Sequence, residues 1–428
     1  MERSPKETVS ISMCFLRDTT YKSISKTTEM ETAYIVDILR TPVGKFGGTL
    51  ASIRPDDLAA IAIKALVNRN PNLPVSELED VILGAANQAG EDNRNVARMA
   101  SLLAGLPIEV AGLTVNRLCA SGLQSIMDAS RALMLNEGNA YIAGGVESMS
   151  RAPFVTAKAE LAYSRKMESH DTTIGWRFVN KKLAELYYPY SMGETAENVA
   201  LQWNIARENQ DEFAHNSQLK YEQAHKANRF KNELIEVKIP QRRAETINFY
   251  KDEHPRLSSL DKLGSLKPAF KEGGSVTAGN ASGINDGAAA SLIVNEAMLS
   301  KYNLTPMARV VSFAVAGVSP DIMGIGPVPA TLKALKRAGL AVKELDLIEL
   351  NEAFASQSIA CMQELGLDPQ KVNVNGGSIA IGHPLGASGT RISATLLHEM
   401  KRRGAKYGLA TMCIGVGQGA AIIYENLT

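Results

Sequence analysis

The sequence predicts a duplicated α/β fold interrupted by one insertion. The first observation is a matched pair of strand starts, Glu77-Leu-Glu-Asp-Val-Ile-Leu-Gly and Glu344-Leu-Asp-Leu-Ile-Glu-Leu-Asn351, each acidic then apolar and each preceded by helical periodicity. The second is spacing: 41 positions separate Leu78 from Cys119, and 41 separate Leu345 from Gly386. The third is the pair of helices that begin at those endpoints. Cys119-Ala-Ser-Gly122 and Gly386-Ala-Ser-Gly389 each open an amphipathic helix, with Leu123, Ile126, Met127 and Ala129 on one and Ile392, Leu396, Leu397 and Met400 on the other. Both helices lead into apolar, glycine-bearing strands, Ala140-Tyr-Ile-Ala-Gly-Gly-Val146 and Gly408-Leu-Ala-Thr-Met-Cys-Ile-Gly415. Equal spacing of matched elements indicates duplication. Strands alternating with helices imply two packed α/β units with largely parallel sheets.

In chain order, residues 1–30 are polar and broken by Glu2, Glu7 and Asp18, which suits neither a secretory signal nor an acid-poor transit peptide. A disordered tail is expected there, and Met30, directly before the first strand-like sequence, is an alternative translation start. Residues 31–150 form the first half. Residues 151–275 are more polar, carry Tyr, Lys and Arg clusters and include a helical segment from Ser191 through Phe213. They are expected to form an inserted loop domain, because connections of that length are rarely structureless. From Thr277 a turn and an apolar strand, to about residue 300, complete the first half. Residues 301–428 make the second.

Composition narrows the function classes. With 428 residues, 45% hydrophobic content and 34 glycines, the chain has material for a large core. Its 46 basic and 45 acidic residues leave a net charge of +1, so no electrostatic reason exists to expect nucleic acid or an anionic membrane as partner. No apolar run reaches the ~20 residues that membrane insertion needs. The four cysteines, Cys14, Cys119, Cys361 and Cys413, form no C-x-x-C pair, so neither a disulfide framework nor a zinc site is expected. No metal is expected, and a reducing, cytoplasmic location is.

Three residues carry the chemistry. Cys119 stands at the start of a predicted helix, where free N–H groups and the helix dipole favour an anion and hence a thiolate. His383 sits among glycines at 376, 377, 382, 386 and 389, an arrangement that suits close approach of a ligand. Cys413 is followed by a glycine-rich strand end, and exposed backbone N–H groups there can hold an oxyanion. A thiol nucleophile, a base and a second proton carrier are what thiol-based acyl transfer requires. Gly415-Val-Gly-Gln-Gly-Ala has no following strand–helix unit or ribose-binding acid, which argues against dinucleotide binding. Cys361, in a helix-like apolar stretch, and Cys14, in the tail, are read as bystanders.

Taken together, Asn116–Gly122, Gly144-Gly-Val-Glu-Ser-Met-Ser150, Asn351-Glu-Ala-Phe354, Gly376–Gly389 and Cys413–Gly419 resemble the motif set of the thiolases, of the degradative or acetoacetyl-CoA type. The resemblance runs from about Ala33 to the last strand. It implies a layered α/β sandwich of duplicated βαβαβαββ units with a loop domain, assembled as a homodimer or homotetramer. It further implies that Cys119 takes the acyl group, that His383 lowers its pKa and then helps hold the thioester oxygen, and that Cys413 moves the proton at the α-carbon of acetyl-CoA. Asn351 would fix a water in one oxyanion hole, and the N–H groups of Cys119 and Gly415 would form the other. Ser282 would contact the pantetheine arm of CoA, with Met192, Met323, Ala353 and Phe354 as further substrate or CoA contacts. Coenzyme A and acyl-CoA are then substrates, and no cofactor is expected.

For the acyl chain, Gly90–Arg98, Asp171–Phe178 and Met323–Pro329 resemble the 3-oxoadipyl-CoA branch. A distal carboxylate needs a cation, and Arg177 or Arg165 could offer one. Leu186-Tyr-Tyr-Pro-Tyr-Ser191 departs from the acetoacetyl-CoA type, with Ser191 where a histidine is found. A fatty-acid β-oxidation or acetoacetyl-CoA thiolase is the alternative. A decarboxylating ketosynthase would lack a second cysteine, and a silent scaffold would have lost Cys119 or His383.

Overall fold

The computed structural model describes residues 31–241 and 244–428. The tail expectation, the alternative start at Met30 and Cys14 all fall outside the described residues.

The first half supplies β1 (Tyr34–Arg40), β2 (Gly44–Lys45), β3 (Leu78–Gly84), β4 (Ala111–Val115) and β5 (Ala140–Ser148), with helices α1 (Pro55–Arg69), α2 (Val96–Leu103) and α3 (Ser121–Met134). The polar stretch holds two small hairpins, β6 (Phe154–Thr156) with β7 (Ser169–Asp171) and β8 (Val237–Ile239) with β9 (Ile247–Phe249). It also holds α4 (Lys181–Leu186), α5 (Met192–Gln202), α6 (Arg207–Lys226) and α7 (Leu260–Gly264). The single helix expected from Ser191 to Phe213 is therefore two, parted at Trp203–Ala206. Strand β10 (Asn285–Val294) returns to pair with β5 and β1. After α8 (Glu296–Tyr302) the second half runs β11 (Ala308–Gly317), α9 (Pro327–Ala338), β12 (Leu347–Leu350), α10 (Ala355–Leu365), α11 (Ser378–Ile381), α12 (Leu385–Arg403), β13 (Tyr407–Ile414) and β14 (Gln418–Asn426).

Strand order shows the duplication directly. One sheet runs β12-β13-β14-β11-β1-β10-β5-β3-β4, with β2 beside β10. Outward from the centre, β1-β10-β5-β3 and β11-β14-β13-β12 are the same arrangement, and the halves join where Tyr34 and Ile35 pair with Arg309 and Ala308. Even β4 has a trace in the second half, an isolated parallel bridge from Ile348 to Val372. The largely parallel sheet expected from alternating strands and helices is not what forms. Only β3–β4, β3–β5 and β12–β13 are parallel, while β1–β10, β10–β5, β1–β11, β11–β14 and β13–β14 are antiparallel. Each half ends by turning its last strand back into the sheet, β10 between β1 and β5 and β14 between β11 and β13, and no helix intervenes at the β13–β14 hairpin.

Side chains alternate across each strand, so both faces of the sheet are buried. In β3, Val81 and Leu83 join α1 and α2, whereas Ile82 faces α3 and α12; in β14, Ala420, Ile422 and Tyr424 face α3 and α12 while Ala421 and Ile423 face α9 and α10. The apolar stripes read from the sequence, Leu123 to Ala129 and Ile392 to Met400, meet in this central layer and are at most 2% exposed. Helix α3 lies against α12 through bare backbone: a Cβ at Gly389 would sit 2.1 Å from Leu123 N, and one at Gly122 would sit 2.8 Å from the Gly386 carbonyl. The N-termini of the two matched helices are thereby locked together, and that lock sets the site. No described helix is long and apolar enough to cross a membrane.

Candidate active site

Two strained turns bring the reactive groups together. Leu118 adopts φ +47°, a conformation unfavourable for a leucine. It is held there by its N–H to Asn116 Oδ1 at 2.8 Å and by Ser121 Oγ, which donates to its carbonyl at 2.7 Å. Cys119 follows inside a 3-10 turn, Leu118–Ala120, that runs into α3. Facing it, the β13–β14 hairpin turns through Val416 at φ +63° and Gly417 at φ +79°. There a Cβ on Gly415 would stand 3.2 Å from Leu118 Cδ1 and 3.5 Å from Met192 Sδ.

Cys119 keeps partial access to solvent as a residue. Burial nevertheless pushes its thiol up to about 11, opposed by the N–H groups of Gly415 and of Cys119 itself, with Glu147 adding to the rise. Burial is the larger of these opposing effects, so the resting thiol is protonated. A base must take the proton during reaction. Cys413, at the end of β13, is 1% exposed, and its thiol is pushed well above the usual range by burial and then by the neighbouring Cys119.

His383 is that base candidate. It is 5% exposed, and burial followed by the charge of Arg391 lowers its pKa to about 3, so the resting imidazole is neutral. Its Nδ1 lies 2.7 Å from Ser388 Oγ and its Nε2 3.5 Å from Asn351 Nδ2, while its backbone N–H donates to Asn285 Oδ1 at 2.9 Å. Gly382 before it adopts φ +112°, and a side chain there would meet the Asn285 amide at 2.7 Å. The glycines near His383 are thus consumed by backbone packing rather than left open for a ligand, a correction to the sequence reading. Asn351 directly follows β12, with its N–H on the Thr411 carbonyl at 3.0 Å, two residues from Cys413.

The expected substrate contacts divide. Met323, Ala353 and Phe354 pack in one small cluster with Cys413, Ala196, Val276 and Ala281, and Met192 covers it. Ser282 lies beside them, its N–H on the Ala353 carbonyl at 3.0 Å. Met192 begins α5 and is presented by a capping box in which Ser191 is the cap and Glu194 its partner; Ser191 is occupied in this role. Arg177 is placed differently. Its described hydrogen bond is to the Gly175 carbonyl at 3.1 Å, and Arg165 is exposed; neither packs in the Cys413 cluster. Cys361 is buried in α10 and donates to the Gly324 carbonyl, as befits a bystander. A separate cavity of about 520 Å³ between α6 and the β9 region is lined by none of these residues, and the chemistry decides against it.

Four partners were not read from the sequence. Ser378, Ser388 and Arg391 bond into the His383–Asn351 pair, and Glu147 accepts N–H bonds from Ala86, Asn87 and Gly386 at 2.8 to 3.1 Å. Burial raises Glu147 to about 7, although three donors aim at its carboxylate; the geometry favours the ionised form. A charged residue inside an apolar helix face was the signal that would have found Arg391.

A doubled α/β frame that pairs two cysteine thiols and holds a neutral, buried histidine against Asn351 defines a class, the acyltransferases that work through a cysteine thiol. The comparisons give the family. Residues 33–297 match the family model "Thiolase, N-terminal domain" and residues 304–426 "Thiolase, C-terminal domain". Over 93% of the chain it is 53% identical to the whole of a beta-ketoadipyl-CoA thiolase of Acinetobacter baylyi, and 48% identical to the whole of an acetyl-CoA acetyltransferase of Cupriavidus necator. The crystal structure of the Bacillus anthracis acetyl-CoA acetyltransferase superposes with a TM-score of 0.88 at 41% identity, covering 93% of this chain and all of that one. The chain belongs to the thiolase family.

Proposed function

We propose that this thiolase cleaves 3-oxoadipyl-CoA with CoA to give acetyl-CoA and a shortened acyl-CoA, or runs the reverse condensation. The observation that carries the reading is the pairing of Cys119 with Cys413 at the meeting of α3 and β13, with a histidine that burial keeps neutral against Asn351, whose N–H bonds to β13 at Thr411. Cleaving a carbon–carbon bond next to a ketone needs a soft nucleophile, a place for enolate charge and a mobile proton. In this reading Cys119 attacks the ketone while His383 takes its proton. The N–H groups of Cys119 and Gly415 stabilise one developing oxyanion, and Asn351 with His383 stabilises the other. Cys413 protonates the departing enolate. CoA thiol then attacks the acyl-Cys119 thioester, and no metal or redox cofactor is required.

The acyl chain is assigned by similarity: the relative at 53% identity is named for beta-ketoadipyl-CoA, and the one at 48% for acetyl-CoA. Met192, Met323, Ala353, Phe354 and Ser282 line the acyl and pantetheine path, and Arg177 supplies a cation for the distal carboxylate. The proposed assembly is a cytoplasmic homodimer or homotetramer, with 31–150 and 276–300 as the first half, 151–275 as a loop domain and 301–428 as the second half. The test is CoA-dependent cleavage of 3-oxoadipyl-CoA, acetoacetyl-CoA and a medium-chain 3-oxoacyl-CoA side by side. A kcat/KM advantage of tenfold or more for 3-oxoadipyl-CoA, about 1.4 kcal/mol, that Arg177→Ala removes is the expected result. Preference for a neutral substrate refutes the acyl-chain assignment and leaves the thiolase.

A further inference from the structure

Leu118, the residue before Cys119, keeps its left-handed φ of +47° because side chains on both sides capture its backbone. Asn116 Oδ1 takes its N–H at 2.8 Å, and the same amide gives Nδ2–H to the Ala86 carbonyl at 2.9 Å, just past the end of β3. One partner of that amide can only donate and the other can only accept, so its direction is fixed. Ser121 Oγ grips the other end: it accepts the Arg117 N–H at 2.9 Å and donates to the Leu118 carbonyl at 2.7 Å. Ser121 is 0% exposed, so water does not take its place. The consequence falls on Cys119. The Leu118–Cys119 peptide is trans, so its N–H points away from the carbonyl that Ser121 holds. That side is the thiol's, for the N–H groups of Gly415 and Cys119 both bear on the Cys119 sulfur. The Leu118 side chain meanwhile packs where a Cβ on Gly415 would stand 3.2 Å from its Cδ1. A right-handed Leu118 would send both the side chain and the following peptide elsewhere, and the two N–H groups would no longer converge.

We propose that Ser121 and Asn116 are positioning residues for acyl transfer: by holding Leu118 left-handed they aim the Cys119 N–H, with that of Gly415, at the oxygen that gains charge when Cys119 attacks a thioester. The inference rests on Cys119 being the acyl acceptor, and the experiment separates the two. Acetylation of the full-length enzyme by saturating acetyl-CoA is compared with alkylation by iodoacetamide, each with peptide mapping. In the first, the Cys119 sulfur bonds to the acetyl carbon through a tetrahedral oxyanion, and CoA leaves as its thiol with the proton that Cys119 gives up. In the second, the sulfur displaces iodide, the proton goes to solvent, and no oxyanion forms. Ser121→Ala is expected to lower the ratio of acetylation to alkylation rates tenfold or more, part of what one oxyanion donor is worth. Asn116→Ala, at an exposed position, gives the same selective loss and covers the case in which Ser121→Ala does not fold. Leu118→Gly supplies the control, because glycine takes positive φ about as readily as negative. In that background Ser121→Ala lowers the ratio threefold or less, the lost packing on Gly415 cancelling in the comparison. If acetylation and alkylation fall by a common factor, or if Ser121→Ala costs the same factor in both backgrounds, the role is structural and the proposal fails. An acetyl group mapped to a residue other than Cys119 overturns the acyl acceptor, and the positioning role with it.

Discussion

The depressed pKa of His383 makes a strong prediction about the resting enzyme. An ordinary imidazole titrates at about 6.5, so at pH 5 only about 3% would remain neutral and a reaction needing neutral histidine would slow about 30-fold. With its pKa held at about 3 by burial, His383 stays about 99% neutral at pH 5. At the other end, a Cys119 thiol at about 11 is about 1% ionised at pH 9. Between these limits the protonation state of the pair does not change. The rate of Cys119 acylation by acetyl-CoA, or of its alkylation by iodoacetamide, is therefore expected to vary less than twofold from pH 5 to pH 8. In His383→Asn only the thiolate route survives, and the rate should climb tenfold per pH unit across the same range. The assay is stopped-time labelling with peptide mapping at constant ionic strength. A loss of about 25-fold in the wild type between pH 7 and pH 5 would refute the argument, since it would mean that the imidazole titrates as it does in water.

Other consequences can be read by standard methods. Cys413→Ser should keep acylation of Cys119 within a few-fold while condensation falls by about 10² or more, the usual worth of a positioned acid–base group; burst and steady-state kinetics separate the two. Gly386→Ala would place a methyl group 2.5 Å from the Val146 carbonyl and should cost about 1–3 kcal/mol in denaturant unfolding, with loss of activity as α12 moves off β5. Glu147→Gln turns one of three accepting contacts at Ala86, Asn87 and Gly386 into a clash of donors and should cost about 1–3 kcal/mol. Acidification should weaken the fold through His383. Because its folded pKa lies below the unfolded value, its contribution is complete above about pH 6.5 and falls as pH drops toward 3. By pH 4 the loss is about 3 kcal/mol, and His383→Gln should flatten that part of the stability–pH curve.

The sequence by itself determined the doubled architecture and pointed to the candidate reacting residues. Spacing and periodicity are local properties, so the matched strands β3 and β12, the matched helices α3 and α12, and the apolar stripes that meet in the central layer could be read directly. Cys119, His383 and Cys413 were legible because each ends or opens a regular element, where small residues mark a turn. Tertiary structure decided everything that depends on which groups are shielded from water. Burial raises the Cys119 thiol and keeps His383 neutral. Close approach of backbones, not room for a ligand, explains Gly386 and Gly389. The return of β10 and β14 between their neighbours makes the sheet mostly antiparallel, which no local pattern states. The left-handed Leu118 packs against Gly415 from the far end of the chain, and a strained turn is held only when every partner around it is in place.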